Sequence, residues 1–253
     1  MKDSFPIWEI SAEQQRGLLI VACVLAVLSL AYASYAARKE RDPFPLFVFL
    51  GAGFAVLLEP VGDIFTQVVY PQLHQVTLFS AWGRLMPIWM GPNYLFFFCV
   101  PVLWILRNLA IAEVSTRKWW LSYFVLVVAV AAFEMPGIAA LSWKYYGEIR
   151  PLTINSYPLW VGFNNAQCLF STAVGVRLLR SVGVRGRLSV SMVALVPLII
   201  AGTHIAPSVP IATATHSGDG SAIVQGAAAV TIALNILMVW VGLRVVRATG
   251  HMR

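Results

Sequence analysis

Seven stretches of the chain are apolar and long enough to cross a bilayer, and polar segments separate them. They lie at about residues 17–36, 45–67, 86–105, 119–141, 158–179, 188–206 and 223–246. A spanning helix needs roughly 20 apolar residues at 1.5 Å of rise each. The pattern therefore predicts an all-α fold: one membrane domain, residues 1–253, built as a bundle of seven transmembrane helices. Asp3, Glu9 and Glu13 precede the first stretch. A cleaved signal peptide normally starts basic, so the first helix is expected to be retained, although Ala31-Tyr32-Ala33 has the form of a cleavage site.

Composition narrows the class. The 253 residues are 59% hydrophobic and only 11% charged, against about 25% charged in a soluble domain. Soluble enzymes, disordered tails and nucleic-acid modules are excluded. The net charge of +7 does not signal a nucleic-acid partner, because the basic residues cluster between the apolar runs. Arg38, Lys39, Arg41, Arg107, Arg117, Lys118, Arg177, Arg180, Arg185, Arg187, Arg244, Arg247 and Arg253 fall on one side. Lys2, Arg16, Arg84, Lys144 and Arg150 fall on the other. The positive-inside rule then puts the N-terminus outside and the C-terminus in the cytoplasm. Cys23, Cys99 and Cys168 all sit in apolar runs and read as small buried hydrophobes.

That direction gives each polar residue a depth. Glu59 and Asp63, four apart on one helix face, lie in the outer part of the second run. Glu134 lies at similar depth in the fourth. The third and fifth runs bring Arg84, Trp89, Asn93 and Tyr94, then Tyr157, Trp160, Asn164, Asn165 and Gln167. The sixth ends outward at His204. The polar groups thus form one outer layer above apolar inner halves. A carboxylate at mid-membrane costs roughly 2.5–3.5 kcal/mol, so such residues pair, face the interior or line a wet cavity. One reading is a purely structural network in which Arg84 clamps a carboxylate. The other is a site where one carboxyl gives a proton and another takes it.

Other chemistries lack their residues. No lysine lies in the last run for a retinal Schiff base, and there is no aspartate-rich pyrophosphate motif, HExxH, GxSxG or P-loop. Among His74, His204, His216 and His251 only His204 falls in a span, and no spacing supports a metal site. No cofactor or metal is expected. LLEPVGD at Leu57–Asp63 and FEMPG at Phe133–Gly137 share an acid closely followed by proline. Both lie near the outer ends of helices running the same way, two short matches that allow an ancient duplication, with no strong repeat around them.

The segment RDPFPLFVFLGAGFAVLLEPVGD, a following Tyr-Pro, WGRLMPIW, FEMPG, KYYGEIRPL and SYPLWVGFNNA resemble the avermectin spirocyclase-like family of bacterial membrane proteins. The resemblance covers about Asp42–Leu179, and the last two runs carry little of the pattern. It implies a multi-pass protein of a bacterial plasma membrane that closes a spiroketal on a lipophilic polyketide. It puts weight on Glu59, Asp63, Arg84, Glu134, Tyr146, Tyr157, Trp160 and Asn164. The general architecture is also similar to integral-membrane terpene cyclases, which begin by protonating an epoxide or alkene. The expected roles are Glu59 as proton donor, Glu134 as proton acceptor, and Asp63 with Arg84 fixing the charge pattern. Tyr157, Asn164 and Asn165 would orient the substrate. A non-enzymic lipid or metabolite transporter or binding protein is the alternative from another class, and a structural subunit of a membrane complex is a third.

Overall fold

The computed structural model describes residues 5–111 and 113–250. Lys2, Asp3, His251 and Arg253, which entered the sequence reading, lie outside the described residues. The architecture is mostly helical. The long helices are α1 (Ala12–Glu40), α6 (Thr116–Ala139), α7 (Leu159–Ser181), α8 (Met192–His216) and α9 (Ser221–Gly250). Two further spans are each broken into shorter helices: α2 (Phe44–Phe54) with α3 (Glu59–Thr66), and α4 (Met90–Phe97) with α5 (Cys99–Asn108). Six helical stretches among the described residues are long and apolar enough to cross a membrane, which makes the chain a multi-pass membrane protein.

Local chemistry sets the boundaries. Ser11 caps α1 by accepting from the Gln14 amide at 3.1 Å, and Ser115 caps α6 the same way through Lys118. Arg38 and Lys39 occupy the last turn of α1, where the helix dipole favours cations. The second run breaks at Pro60, which has no N–H to continue the ladder. A 3₁₀ turn over Ala55–Leu58 takes up the bend just before it.

Helix α7 is the centre of the bundle and packs against α5, α6, α8 and α9. Asn164, Gln167 and Thr172 on it are fully buried. A helix wrapped by other helices does not need lipid-like composition, which explains its low hydropathy despite its 23 residues. The observed helices follow the expected runs closely, except that α8 continues to His216 rather than ending near 206 and the third run begins as a strand.

The all-α expectation needs one correction. Three short antiparallel ribbons gather between the helices. β1 (Val68–Val69) pairs with β4 (Lys144–Tyr145). β2 (Thr77–Ala81) pairs with β3 (Arg84–Pro87), and β5 (Thr153–Ile154) with β6 (Tyr157–Pro158). Both hairpins turn on two residues of positive φ, Trp82-Gly83 and Asn155-Ser156, the geometry that matches strand twist. The segment before α1 straps across these ribbons. Trp8 donates to Leu141 O at 2.9 Å, and in the first turn of α1 itself Gln15 donates to His74 O at 2.6 Å and accepts from the Val76 amide.

Candidate functional site

The β1–β4 ribbon assembles the site. It ties the end of α3 to the end of α6, so the acids on those helices face one cavity of about 120 Å³. Glu59 and Asp63 from α3, Glu134 from α6, Asn93 and Tyr94 from α4, Asn165 from α7 and His204 from α8 all line it. No lysine or arginine among the described residues does so.

Glu59 sits at the bend made by Pro60. Its two carboxylate oxygens accept from the hydroxyls of Tyr70 and Tyr94. Asp63, one turn on and only 2% exposed, lies within hydrogen-bonding reach of Glu59. Its Oδ2 is buried and receives no N–H or O–H from the described residues. A hydrogen bond between two carboxyl groups requires a proton on one of them. Glu59 accepts from two phenols, whereas Asp63 Oδ2 accepts from none of the described residues.

Glu134 is held separately. Its Oε2 accepts from Tyr145 at 2.5 Å and its Oε1 from Asn165 Nδ2 at 2.9 Å. With that amide group engaged, Asn165 Oδ1 is left to accept from His204 Nε2 at 3.0 Å, which assigns the ring proton to Nε2. The result is a line of donors running from His204 through Asn165 into Glu134. Burial and the neighbouring carboxylates push the Tyr70 and Tyr145 phenols well above their ordinary range, so both stay protonated donors.

Aromatic rings make up much of the wall. Tyr70 meets Trp89 edge-on at 5.6 Å, and Trp89 lies 5.9 Å from Trp143. Tyr94, Phe98, Phe97 and Phe133 continue the lining with centroid spacings of 5.0, 5.1 and 6.1 Å. Gly137 makes room for this wall: a Cβ there would stand 2.0 Å from the Trp143 ring.

Several expected residues fall elsewhere. Among the described residues Arg84 clamps no carboxylate. Strand β3 turns it toward the ribbon, where it donates to Val68 O at 2.7 Å and Tyr146 Oη at 2.5 Å, between the rings of Phe5 and Tyr146. Tyr146 and Trp160 border a separate crevice of about 10 Å³. Tyr157 packs beside Gly162, and Asn164 turns to His204 O at 3.2 Å. None of these five lines the main cavity. Sequence reasoning missed Tyr70, Tyr145, Trp143, Phe97, Phe98 and Phe133. A signal existed for the first two, since each follows a buried acid by eleven residues.

No protein-family model, no curated protein and no solved structure matches this chain.

Proposed function

We propose that this chain is an integral-membrane cyclase that closes an oxygen ring on a lipophilic, polyketide-like substrate by acid–base catalysis. One observation carries the reading: acids from two different helices converge on one aromatic-walled cavity in two different hydrogen-bonding states. In this reading the proton shared by the two carboxyls of α3 belongs to Asp63, whose Oδ2 receives no donor among the described residues, while Glu134 is held as an acceptor by Tyr145 and Asn165. This revises the expected roles: Asp63 replaces Glu59 as donor, and Glu59 becomes the anion that holds the Asp63 proton in place.

In spiroketal formation, Asp63 protonates the hydroxyl of a cyclic hemiketal. Its C–O bond breaks and water leaves, giving an oxocarbenium ion. A second hydroxyl of the same molecule attacks, a new C–O bond forms, and its proton passes to Glu134. Moving that proton back to Asp63 restores the site, so no net proton is consumed. A cavity of about 120 Å³ admits the reacting centre, with the remaining substrate outside it.

The membrane setting completes the proposal. Seven spans are supported by α7, whose 23 residues reach about 34 Å although lipid-facing composition is absent from it. The basic residues favour an N-terminus outside and a C-terminus in the cytoplasm, with the cavity then toward the outer leaflet, and the family resemblance favours a bacterial plasma membrane. The test is conversion of long-chain dihydroxyketones by the purified protein in nanodiscs, read by mass spectrometry as loss of one water. Asp63→Asn and Glu134→Gln are each expected to lower the rate by about 10²–10⁴-fold. Conversion at the wild-type rate by both variants overturns the proposal.

The eight aromatic side chains in the lining favour a second reading, a proton-initiated terpene cyclase. Ring faces would then steady a carbocation by about 0.5–2 kcal/mol each.

A further inference from the structure

The two acid stations match residue by residue. Glu59 accepts a hydrogen bond from Tyr70, eleven residues on, and another from Tyr94 on the following helix. Glu134 accepts one from Tyr145, eleven residues on, and another from Asn165 on its following helix. The elements around them run in the same order: acid-bearing helix, short strand, hairpin with a two-residue turn, helix. The sequence entering the second helix repeats as well. Pro87-Ile88-Trp89-Met90-Gly91-Pro92-Asn93 aligns with Pro158-Leu159-Trp160-Val161-Gly162-Phe163-Asn164, and the next residues are Tyr94 and Asn165. Glu-x-x-Gly also recurs, at Glu59–Gly62 and Glu134–Gly137.

A symmetry test is built into the β1–β4 ribbon. The offset of 75 residues that relates Glu59 to Glu134 and Tyr70 to Tyr145 also relates Val69 to Lys144. Val69 and Lys144 pair with each other, antiparallel. A residue meets its own equivalent in this way only on a two-fold axis. The axis therefore passes through the ribbon that joins the two stations.

We infer that the cavity is a composite site made by two copies of one helix–ribbon–helix unit, 44–108 and 116–181, with equivalent carboxyl stations on either side of a two-fold axis. The copies differ at one decisive place. Asp63 corresponds to Ile138, so only the first station carries a second carboxyl. Asp63 is the residue that breaks the symmetry and sets which station gives a proton and which accepts it. This inference deepens the acid–base reading and rests on it for the direction of proton flow. The duplication itself stands without it.

The test needs no substrate. Infrared spectroscopy resolves the carbonyl stretch of protonated carboxyl groups, and exchange into D₂O shifts it. Wild type is expected to show such a band, Asp63→Asn to lose it, and Asp63→Asn with Ile138→Asp to regain one from the second station. A band that survives in Asp63→Asn, or a folded double variant without one, overturns the assignment. Should the double variant not fold, Ile138→Asp alone must add a second band, and its absence counts equally against the proposal. The axis is checked separately: Val69→Cys with Lys144→Cys is expected to form a disulfide, seen as a reduction-sensitive shift on a gel. If no cross-link forms, the two-fold arrangement fails. Success of these arms with no ring closure on any dihydroxyketone removes the cyclase reading and leaves the duplicated site.

Discussion

Gly137→Ala perturbs the cavity wall without touching an acid. The added Cβ would meet three Trp143 ring atoms at 2.0, 2.3 and 2.6 Å, so the indole must move. Overpacking of this kind costs about 1–3 kcal/mol. Alanine in a helix returns about 0.8–1 kcal/mol relative to glycine. With the contact at 2.0 Å the cost falls at the upper end, and a net loss of about 1–2 kcal/mol remains. For a chain of this size that lowers Tm by about 2–8 °C. The control is Gly62→Ala at the equivalent place in α3, where a Cβ meets nothing within 4 Å. It gains the helix preference without a clash and is expected to keep or slightly raise Tm. Thermal unfolding in detergent, followed by tryptophan fluorescence, reads both. Displaced from Trp89, Trp143 should also change its emission in Gly137→Ala alone. Equal melting of the two variants, with unchanged emission, refutes the packing argument.

Tyr145→Phe removes the donor to Glu134 Oε2 and is expected to cost about 1–3 kcal/mol in the same melting assay. Arg180 bridges Glu40 and Asp42 with both bonds at 3.2 Å and covers the Phe44 ring at 3.7 Å. Arg180→Lys keeps the charge but not the fork; because the group is about a quarter exposed, the expected loss is only about 1 kcal/mol, shrinking further in high salt. Above the ordinary tyrosine value of 10.0, an unfolded chain loses phenolic protons that Tyr70 and Tyr145 retain when buried. Stability is therefore expected to hold below pH 10 and to fall as pH rises beyond it, in a denaturation series against pH.

Much of the fold is legible in the residues, because hydrocarbon imposes its pattern on every lipid-facing helix. The runs at 119–141 and 158–179 became α6 and α7 with shifts of at most three residues. The ribbons were not legible. A two-residue strand such as Val68–Val69 is too short for alternation to register, and its pairing with Lys144–Tyr145 spans the whole of α4, α5 and α6. Intramembrane cost singled out Glu59, Asp63 and Glu134 as one group, and the cavity holds all three. Arg84 was misjudged because charge alone suggested a carboxylate partner. A backbone carbonyl, a phenol and two ring faces satisfy it instead. Of the proposed duplication only the two acid–proline matches were legible, because the shared residues are few and the hairpins differ in length, which shifts the register by four residues between the acids and the tryptophans.

The strap of residues before α1 has a consequence of its own. Through Trp8 it grips Leu141, Gln72 and Leu73, and Gln15 in the first turn of α1 adds His74 and Val76, backbone positions drawn from both halves of the site. Alterations in this stretch, far from the acids in sequence, therefore act on the backbone that sets the distance between Glu59 and Glu134. The cavity can thus be reshaped from its rim while every side chain of the long helices stays as it is.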